Sequence, residues 1–417
     1  MNYFRINIYL NFKTFLKSII TKVVKRRGIE TLIKKNSKKR YFILTSQLRV
    51  GFLILLKYLK KKYSTKNEII FQPFNLPEMI NIAIQSKFKV RFKKLNYKTG
   101  QPDFKYLNSI VNNKTLALVA TNIFLSPKSI IFLKNFCKKK KIIFIEDNAI
   151  YFDNFFFKQN KKKYSGSFGD YTLYSFNIMK NVSSFFGGGV ATDDIDFKVF
   201  AKHEISNYRE FFKFVLLKQI IIFFILKVLK FRFFYRLFLK IITISHQKNN
   251  KFILKIVYPA LKFKKTKFPK YYFTKISSIS KNATFYQLKN LNSRKKNHLI
   301  RKKNNIFYSK LFKKLNIKQV KILPIENYNF QNFMDFPIFV ENREKLNNYL
   351  LNNGIETKYI FYQDCVKIFK PTSKKEIKDN SEYFSNKVIG LPNHVNISKD
   401  YMNRIGERIK RYYDSAY

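Results

Sequence analysis

The residues that could do chemistry lie close together in this 417-residue chain. An apolar run ends in Glu146-Asp147. It is followed by Gly166-Ser167-Phe168-Gly169-Asp170, by Ser175-Phe176-Asn177-Ile178-Met179-Lys180 and by Gly187-Gly188-Gly189. The chain has only 11 glycines, so this clustering implies tight turns or backbone brought close to something bound. A lysine walled in by apolar residues loses the hydration of its charge, its pKa falls, and its amine becomes nucleophilic toward a carbonyl. A carboxylate at a strand tip could pair with the protonated nitrogen of a pyridoxal ring. A serine hydroxyl and loop amides could hold the ring's phosphate. Alone, each element says little, since Asp147 could be a helix cap and Lys180 is one of many lysines. Order and spacing together point to carbonyl–amine chemistry.

Seven β-type runs must position these groups: 40–46, 67–72, 87–95, 115–121, 141–147, 171–176 and 188–193. Helical spacing fills gaps such as Val50–Lys60 and Ser129–Lys139. The alternation predicts an α/β fold with a mostly parallel, buried seven-stranded sheet. An acid at the carboxyl end of such a strand lies where α/β domains place their ligands. Around this large domain (40–204) the pattern predicts a basic arm (1–39), a helical insert and connector (205–284), and a linking helix (285–315, read most clearly over 285–311). A small α+β C-terminal domain follows (316–417). It holds the strand MDFPIFV, the helix REKLNNYLLNNG closed by Gly354, and the terminal helix DYMNRIGERIKRYY.

The insert is densely apolar, but its longest uncharged apolar run, Ile220–Leu226, is far short of the roughly 18 residues a membrane span needs. It reads as two amphipathic helices, with Arg232, Arg236 and Lys240 as a charged stripe and Lys227 and Lys230 on another face. The apolar faces over 205–265 need a partner: the protein body, a second subunit or a membrane surface.

Composition bounds the rest. Apolar residues at 46% exclude wholesale disorder, and the length suits two packed domains. Lys plus Arg number 83 against 25 acids, a net charge of +58. The lysines are spread along the chain, as A+T-rich codons would produce, so no specific nucleic-acid partner is read from them. The lysine runs at 138–141 and 161–163 read as solvated loop or helix faces. Two cysteines and four scattered histidines give neither a disulfide framework nor metal-ligand spacing, so no metal is expected. With no apolar h-region at the N-terminus, the expectation is a cytoplasmic protein, at most peripheral to the inner membrane face.

The motifs resemble the DegT/StrS sugar-aminotransferase family of fold-type-I pyridoxal-phosphate enzymes. Glu146-Asp147-Asn148-Ala149 is similar to its "EDxA" strand end. Gly166–Asp170 resembles "GSxGD", Ser175–Lys180 "SFxxxK", and Gly187-Gly188 with Thr192-Asp193 the glycine pair and "TxD"-like strand. Ser46-Gln47-Leu48-Arg49 looks like the phosphate loop, and Gln72–Pro77 like the segment carrying a ring-stacking aromatic. Gln287-Leu288, Arg301 and Tyr308 resemble the helix after the large domain, and Leu391-Pro392-Asn393-His394 the small-domain motif.

The resemblance implies a PLP-transferase fold of type I, pyridoxal 5'-phosphate as cofactor, and a homodimer. It implies amino transfer from glutamate or a similar donor to a nucleotide-linked keto sugar for glycan biosynthesis. Lys180 would form the internal aldimine and act as general acid/base. Asp147 would pair with the pyridine nitrogen, and Ser175, Gln47, Leu48 and Arg49 would serve the phosphate. Phe74 and Ala149 would flank the ring, and His394 would touch substrate. Relatives that dehydrate sugars replace the lysine, so Lys180 favours amino transfer. Three positions depart from the pattern: Leu48 stands where a glycine is usual, Ile150 replaces a polar residue, and Phe185-Phe186 replaces Gly-Glu. They motivate a second expectation, a catalytically reduced relative that binds membrane or polyanions.

Overall fold

Seven short apolar runs supply the frame. In the computed structural model, which describes residues 3, 5, 7–158, 161–248, 250, 252–253, 268–324, 333–358, 362–370 and 375–416, they become β1 (Tyr41–Thr45), β2 (Glu68–Phe71), β3 (Lys89–Phe92), β4 (Thr115–Thr121), β5 (Ile143–Asp147), β6 (Tyr171–Ser175) and β7 (Gly188–Thr192). All join one sheet in the order β1-β7-β6-β5-β4-β2-β3. Only β7 runs against its neighbours. Alternate residues go to opposite faces: Ile69, Phe71, Ala117, Val119 and Ile145 enter one core cluster, while Ile70, Leu118, Ala120 and Phe144 enter another. Both faces are covered, so β4 is buried at every residue. That is why these strands read as continuous apolar runs.

The small domain is a three-stranded antiparallel sheet of β8 (Val320–Ile322), β9 (Asp335–Val340) and β10 (Val388–Pro392). Its core cluster also takes in Phe74, Ile123, Phe124 and Tyr151 from the loops at the carboxyl edge of the large sheet. That shared cluster seats the small domain over the edge where ligands are expected.

Three expectations are corrected. The basic arm is built into the body: its helix α1 (Phe12–Ile20) packs on α6 (Ser278–Lys289), α2 (Arg26–Ser37) packs on β1, and Arg5 meets buried Glu356 at 3.0 Å. The single helix expected over 285–311 is two, α6 and α7 (Leu291–Leu315). They break at Asn290, whose side chain accepts a hydrogen bond from the Ser293 amide at 3.3 Å, a role asparagine fills better than a helix interior. The lysines at 161–163 are solvated, but on a strand of the hairpin Phe155–Lys158/Lys161–Tyr164.

The insert forms α4 (Lys213–Val228) and α5 (Arg232–Gln247); its stretch 254–267 lies outside the described residues. Between Lys62, where α3 (Leu48–Lys62) ends, and this insert the chain completes the large domain. The inner residues Phe223, Leu226, Tyr235, Leu239 and Ile242 share a cluster with Phe15, Phe185 and Phe186. The Phe185 ring is 5.7 Å from the rings of both Phe15 and Phe223. Lys227 and Lys230 turn to the N-terminal segment, donating to the Ile8 carbonyl and to Asn7 Oδ1. No helix among the described residues is long and apolar enough to cross a membrane.

Truncating Phe185, which is fully buried, to alanine is expected to cost about 3–5 kcal/mol in urea unfolding. Phe214→Ala, at a ring 77% exposed, is expected to shift stability by less than about 0.5 kcal/mol.

Candidate active site

The sheet topology brings separate sequence motifs to one edge. Asp147 and Ser175 end the parallel strands β5 and β6, and Thr121 ends β4 opposite Asp147. Because β7 runs the other way, its first residue, Gly188, pairs with both Ser175 and Thr45. Thr45 ends β1, and Gln47 caps α3. Gly188 has no room for a side chain, since a Cβ would collide with the Leu48 amide and the Tyr174 carbonyl. The amino end of α3 thus lies against the strand edge carrying Ser175.

Asp147 is buried; its Oδ1 accepts the Ala149 amide at 3.1 Å, and Thr121 hydrogen-bonds its carboxylate. Burial pushes its pKa up to about 6, against the pull of those bonds and of the Lys180 charge. Lys180 follows a turn closed by its own amide on the Asn177 carbonyl at 2.9 Å. Burial first, then the positive charges of Lys358 and Arg49, bring its pKa down to about 8 against the opposing pull of Asp147 and Asp335. The acid and the amine therefore feel each other across one desolvated space. Lys358 and Asp335, paired at 2.7 Å, bring the small domain to the same space.

The candidate phosphate end is equally specific. Ser46 Oγ is buried with no hydrogen-bond partner among the described residues, and Gln47 makes no side-chain cap to the helix behind it. An unpartnered hydroxyl beside uncapped helix amides suits an anion. Arg49 is directed elsewhere, with its guanidinium 3.7 Å from Glu78 and hydrogen-bonded to Tyr272. The donor set fits a flat, phosphorylated ring: an acid for a ring nitrogen, an amine for an aldehyde, and hydroxyls with amides for a phosphate.

Two expected contacts sit differently. Phe74 is enclosed by Phe124, Tyr362 and Phe384, with centroids at 6.4, 5.6 and 6.2 Å. The small domain docks on it, which gives the ring to packing between domains. His394 is buried, and its Nδ1 accepts the Asn396 amide at 3.3 Å, holding a turn of the small domain. Ala149, by contrast, is only partly buried beside Asp147.

A family model described as the DegT/DnrJ/EryC1/StrS aminotransferase family matches residues 10–207 and 270–410. The chain belongs to this family. A UDP-4-amino-4,6-dideoxy-N-acetyl-beta-L-altrosamine transaminase of Helicobacter pylori (strain ATCC 700392 / 26695) is 25% identical over 167 residues, 39% of this chain and 43% of that protein. The match thus spans less than half of that relative's length. Among solved structures, Helicobacter pylori PseC, an aminotransferase involved in the biosynthesis of pseudoaminic acid, superposes with a TM-score of 0.71 at 16% identity, covering 100% of both chains. A GDP-4-keto-6-deoxymannose-3-dehydratase with a trapped PLP-glutamate geminal diamine gives 0.69 at 16% identity, covering 98% of this chain and 100% of that one. At such identities these two likenesses establish the fold, that of the fold-type-I pyridoxal-phosphate enzymes.

The departures from the family pattern have structural explanations. The Leu48 side chain is buried in the core beneath α3, and Ile150 packs against the small-domain core. Phe185 and Phe186 anchor α1 and the insert. None of these changes removes Lys180 or Asp147, and the reading as a catalytically reduced relative loses its support.

Sequence reasoning named Glu146 and Arg301 as motif residues but missed what they support. Glu146 is fully buried and accepts from the amides of Gly166, Phe168 and Gly169 at 2.6, 3.0 and 3.2 Å and from Asn122 Nδ2 at 3.0 Å. The Gly-Ser-Phe-Gly turn thus wraps a carboxylate of its own chain. A Cβ at Gly169 would lie 2.9 Å from the Cβ of Glu146. Arg301, also buried, donates to Asn181 Oδ1 at 2.7 Å and so pins the residue next to Lys180.

The two shifted groups set opposite pH trends in the ligand-free protein. Asp147 binds its proton more tightly folded (about 6) than at its ordinary 3.8. Its contribution to stability is full below the lower value and lost as pH rises through the upper. Lys180 goes from an ordinary 10.5 to about 8. Its penalty is full below the lower value and relieved as pH climbs to the upper. Unfolding midpoints against pH should therefore show a falling acid limb that Asp147→Asn removes and a rising alkaline limb that Lys180→Met removes.

Proposed function

We propose that this chain is a pyridoxal 5'-phosphate-dependent aminotransferase that moves an amino group from glutamate, or a donor like it, to a nucleotide-linked keto sugar for glycan biosynthesis. The observation that carries this reading is buried Asp147 and half-buried Lys180 at the carboxyl edge of the sheet, each disfavoured in its charged form by desolvation. Asp147 would hold the ring nitrogen. Ser175, Ser46 and the amides opening α3 at Gln47 and Leu48 would hold the phosphate, and Ala149 would lie against the ring. When bound, the cofactor supplies an aldehyde that accepts an amine and a ring that withdraws electrons.

The side chains do the rest. Asp147, mostly ionised at neutral pH, keeps a proton on the ring nitrogen by charge. With a pKa of about 8, about a tenth of Lys180 is neutral amine at pH 7. Lys180 Nζ can therefore take a proton from the donor's carbon and return it to the acceptor's. Asn181 and Arg301 hold the Lys180 loop in register. The apolar floor of Leu173 and Ile145 excludes water from the proton path. A net charge of +58 favours approach of an acceptor carrying a diphosphate.

The finer parts of the reading are a glutamate-like donor, a homodimer, and a cytoplasmic location, where two free buried thiols are at home. Peripheral contact with lipid through 205–265 is compatible with the chemistry and independent of it. The purified protein should be yellow, with a visible band that borohydride bleaches and glutamate shifts. Lys180→Ala should lose the band and at least about a hundredfold in turnover, measured over a panel of nucleotide keto sugars. Unchanged colour in that variant would overturn the assignment.

A further inference from the structure

The family match stops at residue 207 and resumes at 270, so α4 and α5 lie outside the matched stretches. Their inner faces sit on one buried cluster, and their outer faces therefore turn away from the body together. On α4 the outer stripe is Phe214, Leu217, Ile221 and Val228, all exposed and all on one side at helical spacing. On α5 it is Phe233, Leu237, Ile241 and Ile244, again exposed. Helix α1 extends the surface: Phe12, 56% exposed, lies 6.5 Å from the Phe224 ring of α4, and Leu16 and Ile20 continue its stripe. An apolar surface spread over three helices is far more than a monomer normally leaves to water.

The charges on these three helices have one sign. No Asp or Glu occurs from Phe211 to Ile325, and none from Met1 to Ile29. Arg232, Arg236 and Lys240 are exposed along the flank of the α5 stripe. At its margin Arg236 and Lys240 join Arg404 and Asn353 in lining a cleft of about 510 Å³. A two-fold pairing of copies through these helices would set cations against cations. A bilayer that is apolar within and anionic at its surface matches both features.

We propose that α1, α4 and α5 form a peripheral membrane-docking face. Its apolar stripes enter the headgroup–acyl boundary of an anionic bilayer, and the Arg236/Lys240/Arg404 cleft receives a lipid phosphate. This attaches the protein to the membrane surface without any span.

Flotation of the full-length protein with vesicles tests this. Vesicles of phosphatidylcholine mixed with phosphatidylglycerol should carry the protein up, and pure phosphatidylcholine should carry far less. Leu217→Glu with Leu237→Glu should lower the bound fraction about tenfold or more. Arg236→Gln with Lys240→Gln, confined to exposed side chains and therefore safe for folding, should lower binding to the anionic vesicles alone. Equal flotation with both lipids would overturn the anionic part of the proposal. No flotation with either would overturn the whole. Self-association that Leu217→Glu/Leu237→Glu abolishes, with no vesicle binding by the parent protein, would assign the face to a second copy instead. Both variants should keep the yellow colour of the parent, so failure here is separable from failure of the aminotransferase reading.

Discussion

Taking charge out of water penalises an amine and a carboxylate in opposite directions, lowering one pKa and raising the other until the two approach. Lys180 and Asp147 are held in that condition, and the rest of the large domain can be understood as the means of holding them there. A parallel sheet covered on both faces gives strand ends that are dry on the inside and open at one edge. The reversed strand β7 brings Gly188 back to that edge, and the amino end of α3 closes against it. Neither group would be shifted so far on a one-sided sheet, where water reaches the strand ends.

Such a site needs rigidity that the reacting groups cannot supply. Glu146 provides it on one side, since an unpaired carboxylate at full burial would be intolerable and four donors must stay in place to satisfy it. The turn from Gly166 to Gly169 is thereby fixed one residue away from Asp147. On the other side Arg301 reaches from α7 to Asn181 and ties the Lys180 loop to the helix that leads into the small domain. Movement of that domain would be felt at Lys180 through this bond and through the Lys358–Asp335 pair.

The sheet was legible because strands covered on both faces are largely apolar, as Leu116–Ala120 of β4 and Ile143–Ile145 of β5 are. Order and spacing singled out Asp147 and Lys180, and the fold brings them near enough for each charge to act on the other. What could not be read was any contact between residues distant in sequence. Arg301 finds Asn181 across 120 positions, and although a motif marks Arg301, nothing local marks Asn181 as its partner. The Gly166–Gly169 cluster shows a subtler failure, because glycine reports that something approaches the backbone and not what. Here it is the side chain of Glu146. Phe74 and His394 were assigned by analogy with strand-end and small-domain motifs, but side-chain direction depends on how the two domains dock, which the motifs do not encode.

The positions that break the family pattern show how the insert was accommodated. Two adjacent phenylalanines immediately before the Gly187–Gly189 run look like damage to a cofactor loop when taken as sequence. In the fold they point away from that loop into a cluster with Phe15 and Phe223, where an isolated pair of apolar helices must find its anchor. A helix pair that offered its apolar residues only to solvent would not stay folded against the body. Divided faces solve this: Phe223 and Leu226 hold α4 down while Phe214 and Leu217 remain outside. Phe185 and Phe186 thus serve the attachment of this helix pair to the large domain. The attachment passes within a few residues of Lys180 without altering the residues that make the amine reactive.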